Sequence, residues 1–140
     1  MTEVSVRYLG DLHCEATHGP SGAILPTDAP VDNQGKGEAF SPTDLVGTAL
    51  ASCILTTMAI VARRHPDWDL TGATAVVTKE MVTAPTRRIG RLAVRIHIPS
   101  DLPADARKAL ELAAHTCPVH KSLHPDVEAP LEFSYGPAAS

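Results

Sequence analysis

The chain has 140 residues, with 16 acidic side chains against 12 Lys and Arg for a formal charge of −4, and 44% of it is hydrophobic against 20% charged. That balance describes a globular chain long enough to bury about two thirds of its unfolded surface, and it excludes a disordered acidic linker. Scattered basic residues and few aromatics (Tyr8, Phe40, Trp68, Phe133 and Tyr135) offer neither an electrostatic track nor stacking platforms, so no nucleic-acid partner is expected.

The first residues lack a basic stretch followed by an apolar run and a cleavage site, which predicts a cytoplasmic protein. Residues 4–9 alternate Val4, Val6 and Tyr8 against Ser5, Arg7 and Leu9, the period of a half-buried strand. Gly10-Asp11 is a turn signal before a second strand at residues 12–17, and a third short strand is predicted at residues 23–25. Pro26, Asp28, Pro30, Asp32, Asn33, Gly35 and Gly37 then mark a loop.

At Ser41-Pro42-Thr43-Asp44 the helix-start signals converge: a capping serine, a proline at the first helical position and an acid three residues after the cap. Apolar positions Leu45, Val46, Ala49, Leu50, Cys53, Ile54, Met58 and Val61 recur at three and four, and Pro66 ends the pattern after Arg63, Arg64 and His65. Thr48, Ser52, Thr56 and Thr57 interrupt this run, so it reads as a buried helix rather than a bilayer span, and no membrane association is expected. Gly47, Ala49, Ala51 and Ser52 give it a small side suited to helix–helix contact.

Residues 70–82 and 91–98 predict a long hairpin, and Ser100 and Pro103 open a helix over residues 104–115 with Ala106, Leu110 and Ala113 or Ala114 inward. Cys117-Pro118 interrupts that helix, a further helical turn runs to Leu123, and a last strand is predicted at residues 131–135. The order defines an α+β fold in a single domain over residues 1–140.

Three cysteines, an odd count in a chain that needs no cross-link, leave thiol chemistry, metal ligation or inert burial open. Judged locally, Cys117 is the better placed for a thiolate, because Pro118 favours a fresh helix start whose free N–H groups and dipole face the sulfur, with His120 and Lys121 a turn on. Cys53 lies mid-helix on the apolar stripe, where the dipole contributes little and an outside cation would have to activate it. Cys14, between His13 and Glu15 on a strand, is the weakest candidate.

Two other chemistries compete. His115, Cys117 and His120, closed by Cys53, offer four potential zinc ligands, but there is no Cys-x-x-Cys pair and the helix break turns the ligands different ways. Cys117 or Cys53 with His97 or His120 would make a nucleophile–base pair, without a visible oxyanion hole or third orienting group. No resident metal or cofactor is expected. His18, His65 and His124 read as surface or capping residues.

Ser41-Pro42-Thr43-Asp44-Leu45 through Ala51-Ser52-Cys53, together with His115-Thr116-Cys117-Pro118-Val119-His120-Lys121-Ser122-Leu123, resembles the paired motifs of the OsmC/Ohr family of osmotically inducible and organic-hydroperoxide-resistance proteins. The resemblance extends over nearly the whole chain. It implies an antiparallel sheet wrapped around a long central helix, in an intertwined homodimer with sites near the interface. It also implies a thiol peroxidase in which Cys53 is peroxidatic and Cys117 resolving, joined in a disulfide that a lipoyl-type or thioredoxin-type dithiol reopens. That assignment reverses the local ranking, and it requires the two Cα atoms to approach to roughly 5.5 Å.

The Ohr branch carries a glutamate directly after the motif proline and an arginine in an early Gly-rich turn. Here Thr43 follows Pro42, with Asp44 next, and His18-Gly19-Pro20-Ser21-Gly22 holds no arginine, so the chain resembles the OsmC-like branch. Arg7, Arg87, Arg88 or a second subunit is left to supply the activating cation, with Glu38 or Asp44 as orienting carboxylate. Leu45, Ala49 and Leu50 would form an apolar wall favouring an organic hydroperoxide, at roughly 0.8 kcal/mol per desolvated CH₂. The alternatives are a non-enzymatic protein of this fold that binds a small apolar ligand at the dimer groove, and a zinc-binding protein.

Overall fold

The computed structural model of the chain describes residues 1–137. They form two compact units, residues 1–46 and the remainder from Gly47. The architecture is α+β, with two three-stranded sheets, each confined to one unit.

In the first unit, β1 (Val4–Gly10) pairs antiparallel with β2 (His13–His18), which pairs antiparallel with β3 (Ile24–Asp28). The turn after Gly10 takes Asp11 and Leu12 through positive φ (53° and 64°). The third strand runs through Pro26 to Asp28, beyond its predicted end. Proline is tolerated there because β3 is an edge strand. A 3-10 turn, Val31–Asn33, follows in the predicted loop.

The helix α1 (Pro42–Ala62) starts as its sequence dictates: the Asp44 N–H donates to Ser41 Oγ at 3.0 Å and the Ser41 N–H donates to Asp44 Oδ2 at 2.9 Å, a closed capping box. Arg63, Arg64 and His65 lie just past its end, in a turn closed by His65 N–H on the Ala62 carbonyl at 2.9 Å. At 21 residues α1 is long and apolar enough to cross a membrane by composition alone. Leu50, Ile54 and Met58 are nevertheless wholly buried in protein, as in a core helix.

The second unit continues with β4 (Thr74–Val82), β5 (Arg88–Ile98), α2 (Ala104–His115), α3 (Pro118–Ser122) and β6 (Leu131–Tyr135). The β4 strand starts later than predicted because Leu70–Ala73 closes a turn, with the Ala73 N–H on the Leu70 carbonyl at 2.9 Å and Gly72 at φ +82°. The expected antiparallel pairing holds for β4 with β5, and β6 adds one parallel pairing to β5, because the chain crosses over through α2 and α3 before pairing.

Leu92, Val94, Ile96 and Ile98 are buried on β5 at the strand period, and with Leu50, Ile54 and Met58 of α1 and Ala106, Leu110 and Ala114 of α2 they make up the buried core. The small side of α1 is divided between the sheet and the surface. Gly47 is buried against sheet side chains, where an added Cβ would stand 3.3 Å from Val77 Cγ1, while Ala49 and Ser52 are exposed. Ser100 does not cap α2; its hydroxyl donates to the Asp69 carbonyl at 2.8 Å and Pro103 takes the cap position.

Candidate active site

Cys53 and Cys117 meet in the second unit. Cys53 is near enough to Cys117 to be among the groups that raise the Cys117 thiol, and no disulfide joins them. Cys53 is half-buried in the middle of α1, and Thr57, one turn later, brings its hydroxyl to 3.9 Å from Cys53 Sγ. The i, i+4 spacing on a helix makes that neighbour readable from sequence, though sequence reasoning passed over it.

Cys117 is fully buried and occupies the N-cap of α3, with Pro118 at the first helical position. Its sulfur accepts the His120 N–H at 3.4 Å, the arrangement that Cys-Pro predicts. The protonation expected from it is corrected. Burial pushes the thiol above its ordinary value and outweighs the N–H of His120, and the charge and hydrogen bond of Cys53 add to the rise. A short helix dipole does not offset removal from water, so Cys117 is a protonated thiol at neutral pH.

The imidazoles of His115 and His120 lie edge to face with centroids 6.2 Å apart, and His115 also contacts Phe133 at 6.0 Å. Among the described residues, the trio of metal-ligating side chains whose donor atoms lie within 4.8 Å of one another is not this segment but His13, Asp28 and Glu38. His97 is tied to Ser134, Nδ1 to Oγ at 2.7 Å, on the outer pairing of β5 with β6.

The remaining predicted residues have local roles. Arg7 pairs with Glu15 across β1 and β2 at 3.7 Å, Glu38 stands 3.8 Å from His13, and Asp44 closes the capping box. Arg88 donates to the Ile89 and Asp126 carbonyls. Of the apolar wall, Ala49 is exposed and Leu45 half-buried, whereas Leu50 is corrected: it is wholly buried in the core and supports the helix rather than lining a groove. Cys14 is a half-buried free thiol on β2, opposite Tyr8 and Thr27.

The OsmC-like protein family model matches residues 35–132, and the chain belongs to that family. A Psychrobacter arcticus protein assigned to osmotic stress induction and the detoxification response shares 47% identity over 95% of this chain and 96% of its own, with a TM-score of 0.89. Two more distant structures share the fold. The organic hydroperoxide resistance protein OsmC of Legionella pneumophila is 20% identical over 96% of each chain, with a TM-score of 0.77. The organic hydroperoxide resistance protein OhrB of Bacillus subtilis is 19% identical over 95% of this chain and 97% of its own, with a TM-score of 0.69. No curated protein sequence matches the chain.

Proposed function

We propose that the protein is a thiol-dependent hydroperoxide reductase of the OsmC-like branch, acting in peroxide or osmotic stress. The observation that carries this reading is the meeting of two thiols separated by 64 positions in sequence, one half-exposed and one buried. In the first step the Cys53 thiolate attacks the distal oxygen of ROOH. The O–O bond breaks, ROH leaves with a proton, and Cys53 becomes a sulfenic acid. Cys117 then attacks the Cys53 sulfur, releasing water and closing the disulfide. A lipoyl-type or thioredoxin-type dithiol reduces the disulfide and is itself oxidised, returning both thiols.

The division of labour follows from burial. Cys53 is the less buried of the two, and a resolving thiol held protonated inside the protein does not compete for peroxide. Leu45 and Ala49 remain as apolar surface for the alkyl group of an organic hydroperoxide.

A second copy of the chain fits the uncovered apolar surface. Only 28% of the most apolar window of α1 is buried, and Val4, Val6, Tyr8 and Ile24 are all more than half exposed. Such a dimer would also offer a source for the cation beside Cys53.

Serine variants test the reading. Cys53→Ser abolishes hydroperoxide consumption, and Cys117→Ser completes roughly one turnover before stalling as the sulfenic acid. Parent-like turnover by both variants would remove the enzyme and leave an apolar-ligand-binding protein of this fold.

A further inference from the structure

We propose that His13, Asp28 and Glu38 form a binding site for a divalent transition-metal ion, zinc first. The site lies wholly in the first unit and is independent of the thiol pair. His13 opens β2 and Asp28 closes β3, and the register of the two strands sets them directly opposite each other. Glu38 comes from the loop beyond, its backbone N–H donating to Asp28 Oδ2 at 3.0 Å.

The tautomer of His13 is fixed by its surroundings. Nδ1 lies 2.8 Å from the Asp11 carbonyl oxygen, which can only accept, so Nδ1 carries the hydrogen. In the neutral ring Nε2 is then a bare lone pair, and it faces Asp28 Oδ2 at 3.4 Å and Glu38 Oε2 at 3.8 Å. A lone pair turned on two carboxylates is repulsive, and either a proton on Nε2 or a metal cation among the three groups relieves it. An imidazole oriented through its other nitrogen by a carbonyl is the usual arrangement behind a metal-ligating histidine.

The spacing also fits. Zinc bonds of about 2.0–2.1 Å put tetrahedral ligands roughly 3.3–3.4 Å apart. The His13–Asp28 separation meets that, all three donor atoms lie within 4.8 Å of one another, and Glu38, whose side chain is 60% exposed, is free to move inward.

Asp28 supplies an independent observation. Its side chain is completely buried, and while Oδ2 accepts the Glu38 N–H, Oδ1 has no hydrogen-bond partner. A buried carboxylate with an unsatisfied oxygen is costly, and a cation in the cluster offsets that cost. The Lys36 ammonium is paired with Asp11 Oδ2 at 3.1 Å, although its charge also reaches Asp28 and Glu38.

One imidazole nitrogen with two carboxylate oxygens favours zinc over calcium or magnesium, which take oxygen donors, and the exposed side of Glu38 leaves the fourth position to water. Bound there, the ion would tie the end of β3 to residue 38, bracing the loop that leads to the Ser41 cap of α1.

The test is Zn²⁺ titrated into the full folded chain, with Co²⁺ as a spectroscopic probe. The parent binds one equivalent of zinc and melts at a higher temperature with it. His13→Gln and Glu38→Gln each weaken binding at least tenfold and lose most of the thermal shift. Co²⁺ gives visible ligand-field bands without a thiolate charge-transfer band. Because Asp28→Asn removes a buried group and risks unfolding, the two more exposed positions carry the test. Failure of the folded parent to take up stoichiometric zinc overturns the proposal, since a proton on His13 Nε2 then suffices. Binding unchanged in both variants, or a charge-transfer band lost with Cys53→Ser or Cys117→Ser, likewise overturns it in favour of the thiols.

Discussion

The two units are stabilised by opposite means. Every fully buried apolar side chain among the described residues, from Leu50 to Cys117, belongs to the second unit, while the buried polar ones, Thr27, Asp28 and Ser41, all belong to the first. The second unit therefore carries a hydrophobic core of its own. The first is a thin sheet whose strand β1 is exposed almost throughout, organised by hydrogen bonds and charge. Removal of apolar volume should consequently injure the second unit far more than loss of surface charge injures the first.

The largest effect expected is on the core. Leu110→Ala, at a wholly buried position on α2, should cost about 2–5 kcal/mol in urea unfolding. A loss under about 1 kcal/mol would mean that the second unit has no tightly packed centre.

The next contrast lies within the thiol pair. Cys117 is held above the ordinary thiol value of 9.0 by burial, so its thiolate fraction at neutral pH is small and grows with pH until that raised value is passed. Closure of the disulfide after a single addition of hydroperoxide, followed by stopped flow, should accelerate roughly tenfold per unit between pH 7 and pH 8. A pH-independent rate would show that Cys117 attacks from a less buried position.

Polar organisation of the first unit is tested at Ser41. This residue is 1% exposed, and Ser41→Ala opens the capping box at an expected cost of about 1 kcal/mol. The smallest effect is expected at Arg7, whose side chain is 77% exposed beside Glu15: Arg7→Ala should unfold within about 0.5 kcal/mol of the parent. A larger loss at Arg7 than at Ser41 would invert the picture of where the first unit keeps its stability.

The same contrast explains what the sequence disclosed. Apolar periodicity is a local signal, so α2 and β6 emerge with the bounds read for them, and Ala106 and Leu110 are inward as expected, with both Ala113 and Ala114 buried beside them. Partner choice is not local. Nothing within residues 131–135 states that β6 runs parallel to β5, and nothing around Leu50 states which side of a broadly apolar helix meets the sheet.

At the site, Cys117-Pro118 correctly announced an N-cap, but burial, which depends on segments far away in sequence, reverses the expected protonation. The juxtaposition of Cys53 with Cys117 was legible only through the paired family motifs. The His13–Asp28–Glu38 cluster was hidden because Pro26 made the end of β3 read as loop, which separated Asp28 from its cross-strand partner.

The most direct measurement is non-reducing peptide mapping of the parent after one equivalent of an organic hydroperoxide. The account predicts a peptide pair joined through Cys53 and Cys117, with Cys14 alkylatable throughout. Recovery of Cys53 and Cys117 as free thiols while peroxide is consumed, or a disulfide that includes Cys14, would contradict it.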